Sequence, residues 1–153
     1  ISGDSEANSV ADALETNKAL IRIDFVFKDN NYFDPNNLVQ ALNGLSTLER
    51  LCCISLSRSS LEAQFLLTNL QHPTLRELIL EGNFDTDGSS PSEFVRNHES
   101  LEVLCLNSHQ NNATLLQAVL DHPTIRRLDL ISVVMSPQVA SLVARLIQDR
   151  LHT

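Results

Sequence analysis

The sequence has few of the features that mark a membrane protein, an enzyme or a nucleic-acid-binding protein. It contains no Trp, one Tyr, four Gly and five Pro in 153 residues. No apolar run approaches the roughly 20 residues that span a bilayer, and the N-terminus lacks the basic-then-apolar order of a signal peptide. The formal net charge of −8 argues against nucleic acid, because phosphate binding relies on a surplus of Lys and Arg.

The cysteines and the absence of known catalytic motifs also limit which enzymatic and metal-binding functions are expected. Three Cys form an odd count without paired spacing, which predicts neither a disulfide framework nor a zinc site. The sequence has no Gly-rich phosphate loop, no His-Glu-x-x-His and no Gly-x-Ser-x-Gly. We therefore expect no enzymatic activity, no metal and no cofactor. A reducing, cytoplasmic setting fits the free thiols best.

A short frame recurs five times along the chain. It is clearest in Leu75–Asn83, which has apolar residues at its first, fourth and sixth places and Asn at its ninth. The frame recurs at Leu101–Leu106 and Ile125–Leu130, and more loosely at Leu48–Cys53 and Leu20–Phe25. Each copy begins 24 to 28 residues after the one before it. A period in this range predicts stacked supersecondary units.

The segments between the copies have apolar residues at helical spacing. One start signal is Asp34 as N-cap with Pro35 at the first helical position, and another is a capping box from Ser90 to Glu93. Six helices are thus predicted to alternate with five strands. The helices are expected at Asp4–Asn17, Asn36–Gly44 and Ser60–Leu70, from Ser90, at Ala113–Leu120, and from Ser136.

The frame Leu-x-x-Leu-x-Leu-x-x-Asn resembles the leucine-rich-repeat pattern. Units near 28 residues with a helical second half are similar to the ribonuclease-inhibitor-like subfamily. The resemblance implies an α/β solenoid, a horseshoe segment of about five repeats with a parallel concave β-sheet and convex helices. The sequence departs from the family at the ninth place, where only one Asn stands; the five residues there are Lys28, Leu56, Asn83, His109 and Val133.

The resemblance covers nearly the whole chain, so residues 1–153 are expected to form a single leucine-rich-repeat domain. The opening Ile1–Asp4, followed by Val10–Leu14 and Asn17–Leu20, is similar to the second half of a family repeat. We therefore expect the chain to begin in mid-repeat, as a fragment of a longer protein. A monomer is expected.

The sheet predicts the candidate binding surface. Because side chains alternate along a strand, the third, fifth and seventh places point to the concave face and the fourth and sixth point to the core. The middle of that face combines a semi-apolar strip with an Arg and Glu rim, which predicts a non-catalytic module that binds a protein partner there. A solvated concave face with scattered apolar residues is the alternative. The predicted partner-binding residues are Arg50, Cys52, Ile54, Glu77, Ile79, Glu81, Cys105, Arg127, Asp129 and Ile131.

Cysteines offer a weaker, enzymatic interpretation. Cys52 and Cys105 share the fifth-place column about 9.6 Å apart by strand spacing, too far for a disulfide. Both are expected to be exposed, whereas Cys53 should point into the core. A catalytic thiolate needs a lowered pKa and a base, and no His falls in the concave columns.

Histidines form a column of their own. His72, His98 and His122 each stand three residues before the first apolar place of a unit. Three imidazoles on adjacent units suggest a metal site as one alternative. The favoured interpretation is a helix C-terminus, where the residue tolerates left-handed backbone or carries a cation that suits the helix dipole.

Family members of this kind include cytosolic inhibitors, innate-immune sensors, actin regulators and effectors that bacteria deliver into host cells. The resemblance therefore leaves an alternative function open. The chain is then a regulatory or targeting repeat segment of a larger enzyme, or of a secreted bacterial effector that acts in a host cell's cytosol. Neither interpretation predicts a nucleic-acid or membrane partner.

Overall fold

The computed structural model describes residues 3–17, 19–27, 35–55, 61–82, 89–108 and 112–151. Helices and strands alternate through these ranges, as the sequence predicts, with boundaries within one or two residues of those expected. No described helix is long and apolar enough to cross a membrane. The elements are α1 Gly3–Thr16, β1 Arg22–Phe27, α2 Pro35–Asn43, β2 Arg50–Ser55, α3 Leu61–Asn69, β3 Glu77–Gly82, α4 Ser89–Asn97, β4 Val103–Asn107, α5 Ala113–Asp121, β5 Arg127–Ile131 and α6 Pro137–Leu151.

The five strands form one parallel sheet in sequence order, β1-β2-β3-β4-β5. Their register matches the repeat frame place for place: Ile79 of β3 pairs with Cys52 of β2 and with Cys105 of β4. Parallel strands need a crossover, and the helix of each unit supplies it. The predicted solenoid with a parallel sheet on one side and helices on the other is therefore confirmed.

The core lies between the sheet and the helices. Fourth- and sixth-place residues of the inner strands are fully buried, including Leu78, Leu80 and Leu104 at 0% exposure, and so is Cys53, as predicted. Phe94 of α4 also has no exposed surface. Each unit buries its apolar flank only against its neighbours, which is the energetic reason for stacking.

A row of hydroxyl groups links consecutive units. In four units a Ser or Thr directly precedes the first apolar place, and its side chain donates a hydrogen bond to the first-place carbonyl of the preceding unit. We call this row the hydroxyl ladder. Its bonds run from Thr47 to Leu20 at 2.8 Å, Thr74 to Leu48 at 2.8 Å, Ser100 to Leu75 at 2.7 Å, and Thr124 to Leu101 at 2.8 Å.

The histidine column also joins units, but not in the way predicted. The three side chains are buried. His98 Nδ1 donates to the Phe94 carbonyl at 2.7 Å, and His98 Nε2 accepts the backbone N–H of His72 at 3.1 Å. His72 Nε2 donates to the Leu45 carbonyl, and His122 Nε2 donates to the His98 carbonyl at 3.0 Å. A ring whose two nitrogens respectively donate and accept is neutral.

The left-handed backbone expected for the column is therefore wrong, and a cation is opposed at two of its three positions. His122 has φ of −83°, and Ser132 is the one non-Gly residue with positive φ in the described ranges, so no left-handed histidine occurs there. Burial lowers the pKa of His72 and of His98, which opposes a cation at either position. The imidazoles serve instead as hydrogen-bonding bridges, of which His98 is neutral by its donor and acceptor nitrogens. No group of three His, Cys, Asp or Glu in the described residues is placed to hold a metal.

The helix start signals have mixed outcomes. Helix α2 begins at Pro35 as predicted, whereas Asp34 lies outside the described residues. At α6, Ser136 Oγ accepts the backbone N–H of Val139 at 3.2 Å, an N-cap bond. The capping box at Ser90 stays a prediction, and α4 begins at Ser89, one residue earlier than the box implies. Four of the five ninth places, Lys28, Leu56, Asn83 and His109, also lie outside the described residues.

Candidate partner-binding face

The concave face consists of the third-, fifth- and seventh-place side chains of the five strands. The strand register aligns these places into three columns that run across the sheet, and all ten predicted site residues lie in them. The third-place column is Arg22, Arg50, Glu77, Val103 and Arg127; the fifth is Asp24, Cys52, Ile79, Cys105 and Asp129; the seventh is Val26, Ile54, Glu81, Asn107 and Ile131.

Ion pairs neutralise most of the charge on this face. Arg22 Nε lies 2.9 Å from Asp24 Oδ1, with a second bond from Nη2 to Oδ2 at 3.1 Å. Arg127 and Asp129 repeat that two-point contact on β5, at 2.8 and 3.1 Å. A third ion pair connects two neighbouring strands in the middle of the sheet: Arg50 Nε of β2 lies 3.0 Å from Glu77 Oε2 of β3. Exposed pairs contribute little to stability, so their main effect is to orient the guanidinium groups.

An apolar centre lies between these ion pairs. Ile79 is half-buried in the middle of the sheet, between Cys52 and Cys105, and Ile54 and Val103 are half-buried on the flanking strands. No aromatic side chain lies in the columns. The face therefore offers flat aliphatic contact area, without the Tyr and Trp that dominate many interfaces.

The exposure of Cys52 differs from the prediction for the site. It lies in the expected column but is only 6% exposed, whereas Cys105 is half-buried. Cys52 and Cys105 each have one Ile and one Asp as register neighbours, so the register does not account for their different exposure. A partner on this face would contact Ile79 and Cys105 more than Cys52.

The thiols of the face are poor nucleophiles at neutral pH. Burial raises the pKa of Cys52, and the Asp24 carboxylate raises it further. Burial likewise raises the pKa of Cys105, with Asp129 adding to the shift. Since the thiolate is the reactive form, these shifts oppose the enzymatic interpretation. Neither thiol of the face is activated as a nucleophile.

Glu81 differs from every other charged side chain on the face. It is exposed and forms no ion pair or hydrogen bond through its side chain within the described part of the chain. Its negative charge contributes to the raised pKa of both Cys52 and Cys105, so its carboxylate influences both strands that flank β3. The sequence identified Glu81 as a site residue but not its unpaired state, because ion pairing depends on rotamers.

Outside the face, one groove was not predicted from the sequence. It lies between β5 and α6, has a volume of about 390 Å³ and is lined mainly by aliphatic side chains, including Leu128, Leu130 and Ile147. Leu128 and Leu130 are half-buried, in contrast to the fully buried Leu78 and Leu104 of the inner strands. At the second places of the last two units, Arg126 Nη2 lies 3.2 Å from Glu102 Oε1.

Comparison with solved structures supports the fold. The C-terminal domain of tropomodulin from Caenorhabditis elegans matches with a TM-score of 0.55 and 16% identity, over 97% of this chain and 99% of that one. Actin-Binding Site 2 of leiomodin-1 matches with a TM-score of 0.54 and 12% identity, over 96% and 91%. No protein-family model matches the chain, and no curated protein matches it significantly.

The parallel sheet, the alternating helices and these likenesses define the class of protein. The chain has the fold of a leucine-rich-repeat-like α/β solenoid. At 12 to 16% identity the likeness extends to the fold alone.

Proposed function

We propose that this chain is a non-catalytic protein–protein interaction module that binds a protein partner through its concave face. The observation that carries the proposal is the combination of a half-buried aliphatic centre with oriented ion pairs on both sides. Such a surface provides apolar area together with fixed polar groups, the usual division of an interface into core and rim. The raised pKa values of Cys52 and Cys105 favour a binding role over catalysis.

The structural likeness nominates a first partner to test. Leiomodin-1 Actin-Binding Site 2 shares this fold, so actin is a defined probe for binding. We further propose membership of the ribonuclease-inhibitor-like subfamily, supported by the helical second half of each unit. A reducing cytoplasmic setting and a single-domain organisation of residues 1–153 are part of the same proposal.

The test uses a double variant of the face. Ile79→Asp places a charge at the apolar centre, and Arg127→Glu sets two like charges beside each other at Asp129. We expect this variant to lose co-sedimentation with actin, or affinity capture of another protein, while it still unfolds cooperatively with a melting temperature lowered by only a few degrees, because Ile79 is half-buried. Capture is compared with Ala144→Asp plus Arg145→Glu, a matched change of exposed residues on α6 that should retain binding.

Equal capture by the wild type and the concave-face variant would place the binding surface elsewhere. The alternative function, a targeting segment of a larger enzyme or of a bacterial effector, uses the same face. The full-length sequence distinguishes it by showing or lacking a catalytic domain.

A further inference from the structure

The charge balance of the concave face identifies the chemistry of its partner. Three acids in the columns are matched by three arginines, at separations of 2.8 to 3.0 Å. Glu81 is the remaining charged residue of the columns, and it has no such match within the described chain. Among the described residues, the three columns thus carry one unbalanced negative charge, on the central strand β3.

Within the described part of the sheet, the register neighbours of Glu81 are uncharged. In the register its neighbours are Ile54 on β2 and Asn107 on β4, both half-buried, and Ile79 stands two residues earlier on the same face. A partner that covers this region removes water from the carboxylate. Covering an ionised group without an opposite charge is costly, whereas a cation with direct hydrogen bonds offsets the cost.

We propose that the concave face recognises a polypeptide segment with one Arg or Lys flanked by apolar side chains. The basic group pairs with Glu81, and the flanking apolar groups cover Ile54 and Ile79. This inference rests on the proposed function of the face. The inference also predicts which segments bind weakly. An acidic segment would be repelled by the Glu81 carboxylate, and a purely apolar segment would bury that carboxylate without a partner.

The test screens the intact chain against a displayed library of random 12-residue peptides. We expect the retained peptides to be enriched in one Arg or Lys between apolar residues. A synthetic peptide of the enriched sequence should bind Glu81→Gln at least about tenfold more weakly than wild type, since a hydrogen bond to a charged group is lost. Glu93→Gln, which changes an exposed acid on α4, should bind it as wild type does.

The outcomes separate this inference from the proposed function. Peptides that lose binding with Ile79→Asp but bind Glu81→Gln as tightly as wild type would overturn the inference and leave the binding face in place. Retained peptides without a basic residue, or no retained peptide at all, would also overturn it. Peptides that bind the Ile79→Asp variant normally would contradict the binding face itself.

Discussion

Leu78 and Ile79 are neighbours in β3, yet they lie on opposite faces of the sheet. Leu78 has no exposed surface and packs among the core residues, whereas Ile79 is half-buried at the centre of the concave face. The inner face is built from apolar contacts and buried hydrogen bonds between units, and the concave face from ion pairs and one free carboxylate. The difference assigns stability to the core-facing side, and the proposed function assigns recognition to the concave face.

The largest expected effect is a loss of stability on substitution of a core-facing residue of the sheet. Leu78→Ala should lower the free energy of unfolding by about 2–5 kcal/mol, because a fully buried side chain leaves a cavity. Ile79→Ala, the matched change on the concave face, should cost about 1 kcal/mol, since only part of its surface is buried. Urea unfolding of the two variants measures both. Equal losses would mean that the two faces do not divide stability in this way.

An intermediate effect concerns pH and the histidine column. Burial lowers the pKa of His98 below its ordinary value of 6.5, so the unfolded chain takes up a proton first as the pH falls. Stability from this group is complete above pH 6.5 and is lost as the pH falls through the folded pKa. Each unit of lowering corresponds to about 1.4 kcal/mol.

The measurement is urea unfolding of wild type and His98→Gln from pH 7.5 to 4.5. The variant cannot titrate at this position, so it should lose less stability over the range than the wild type does. Parallel pH profiles for the two proteins would rule out His98 as a source of acid sensitivity.

A smaller effect sharpens the comparison at the hydroxyl ladder. Thr74→Val removes the bond to the Leu48 carbonyl and the 3.0 Å contact with His72 Nδ1, and should cost at least about 1 kcal/mol, a typical net value for one hydrogen bond. Thr114→Val, an exposed position on α5 without a hydrogen bond from its hydroxyl, serves as the control and should change stability by about 0.5 kcal/mol or less. Thr74→Ser keeps the hydroxyl and should restore most of the loss. A Thr74→Val protein as stable as wild type would show that the ladder adds nothing.

The sequence predicts the architecture well because the repeat frame sets the register. Once Leu75 and Leu101 occupy the first place, the pairing of Ile79 with Cys105 follows from the alternation of side chains along a strand. The three columns of the concave face were therefore predictable residue by residue. They rest on backbone geometry, which the apolar pattern specifies.

Features that depend on side-chain reach were not predictable in the same way. The low exposure of Cys52 does not follow from its register neighbours, which are of the same residue types as those of Cys105. The unpaired state of Glu81 depends on which arginine reaches which acid. The hydroxyl ladder left a visible signal, a Ser or Thr before each first-place residue from Thr47 to Thr124. That signal was missed because its partner is a backbone carbonyl one unit away.

The hydroxyl ladder has a consequence for how the strands align. Moving one strand by two residues along its neighbour would keep every apolar side chain on the core side, because the side-chain period is two. Apolar alternation alone therefore does not distinguish the native alignment from this shifted one. A hydroxyl that reaches one particular carbonyl does, since a shift of two residues moves its acceptor by more than 6 Å. In a chain whose ninth places carry a single Asn, this row of Ser and Thr fixes the register of each strand against its neighbour.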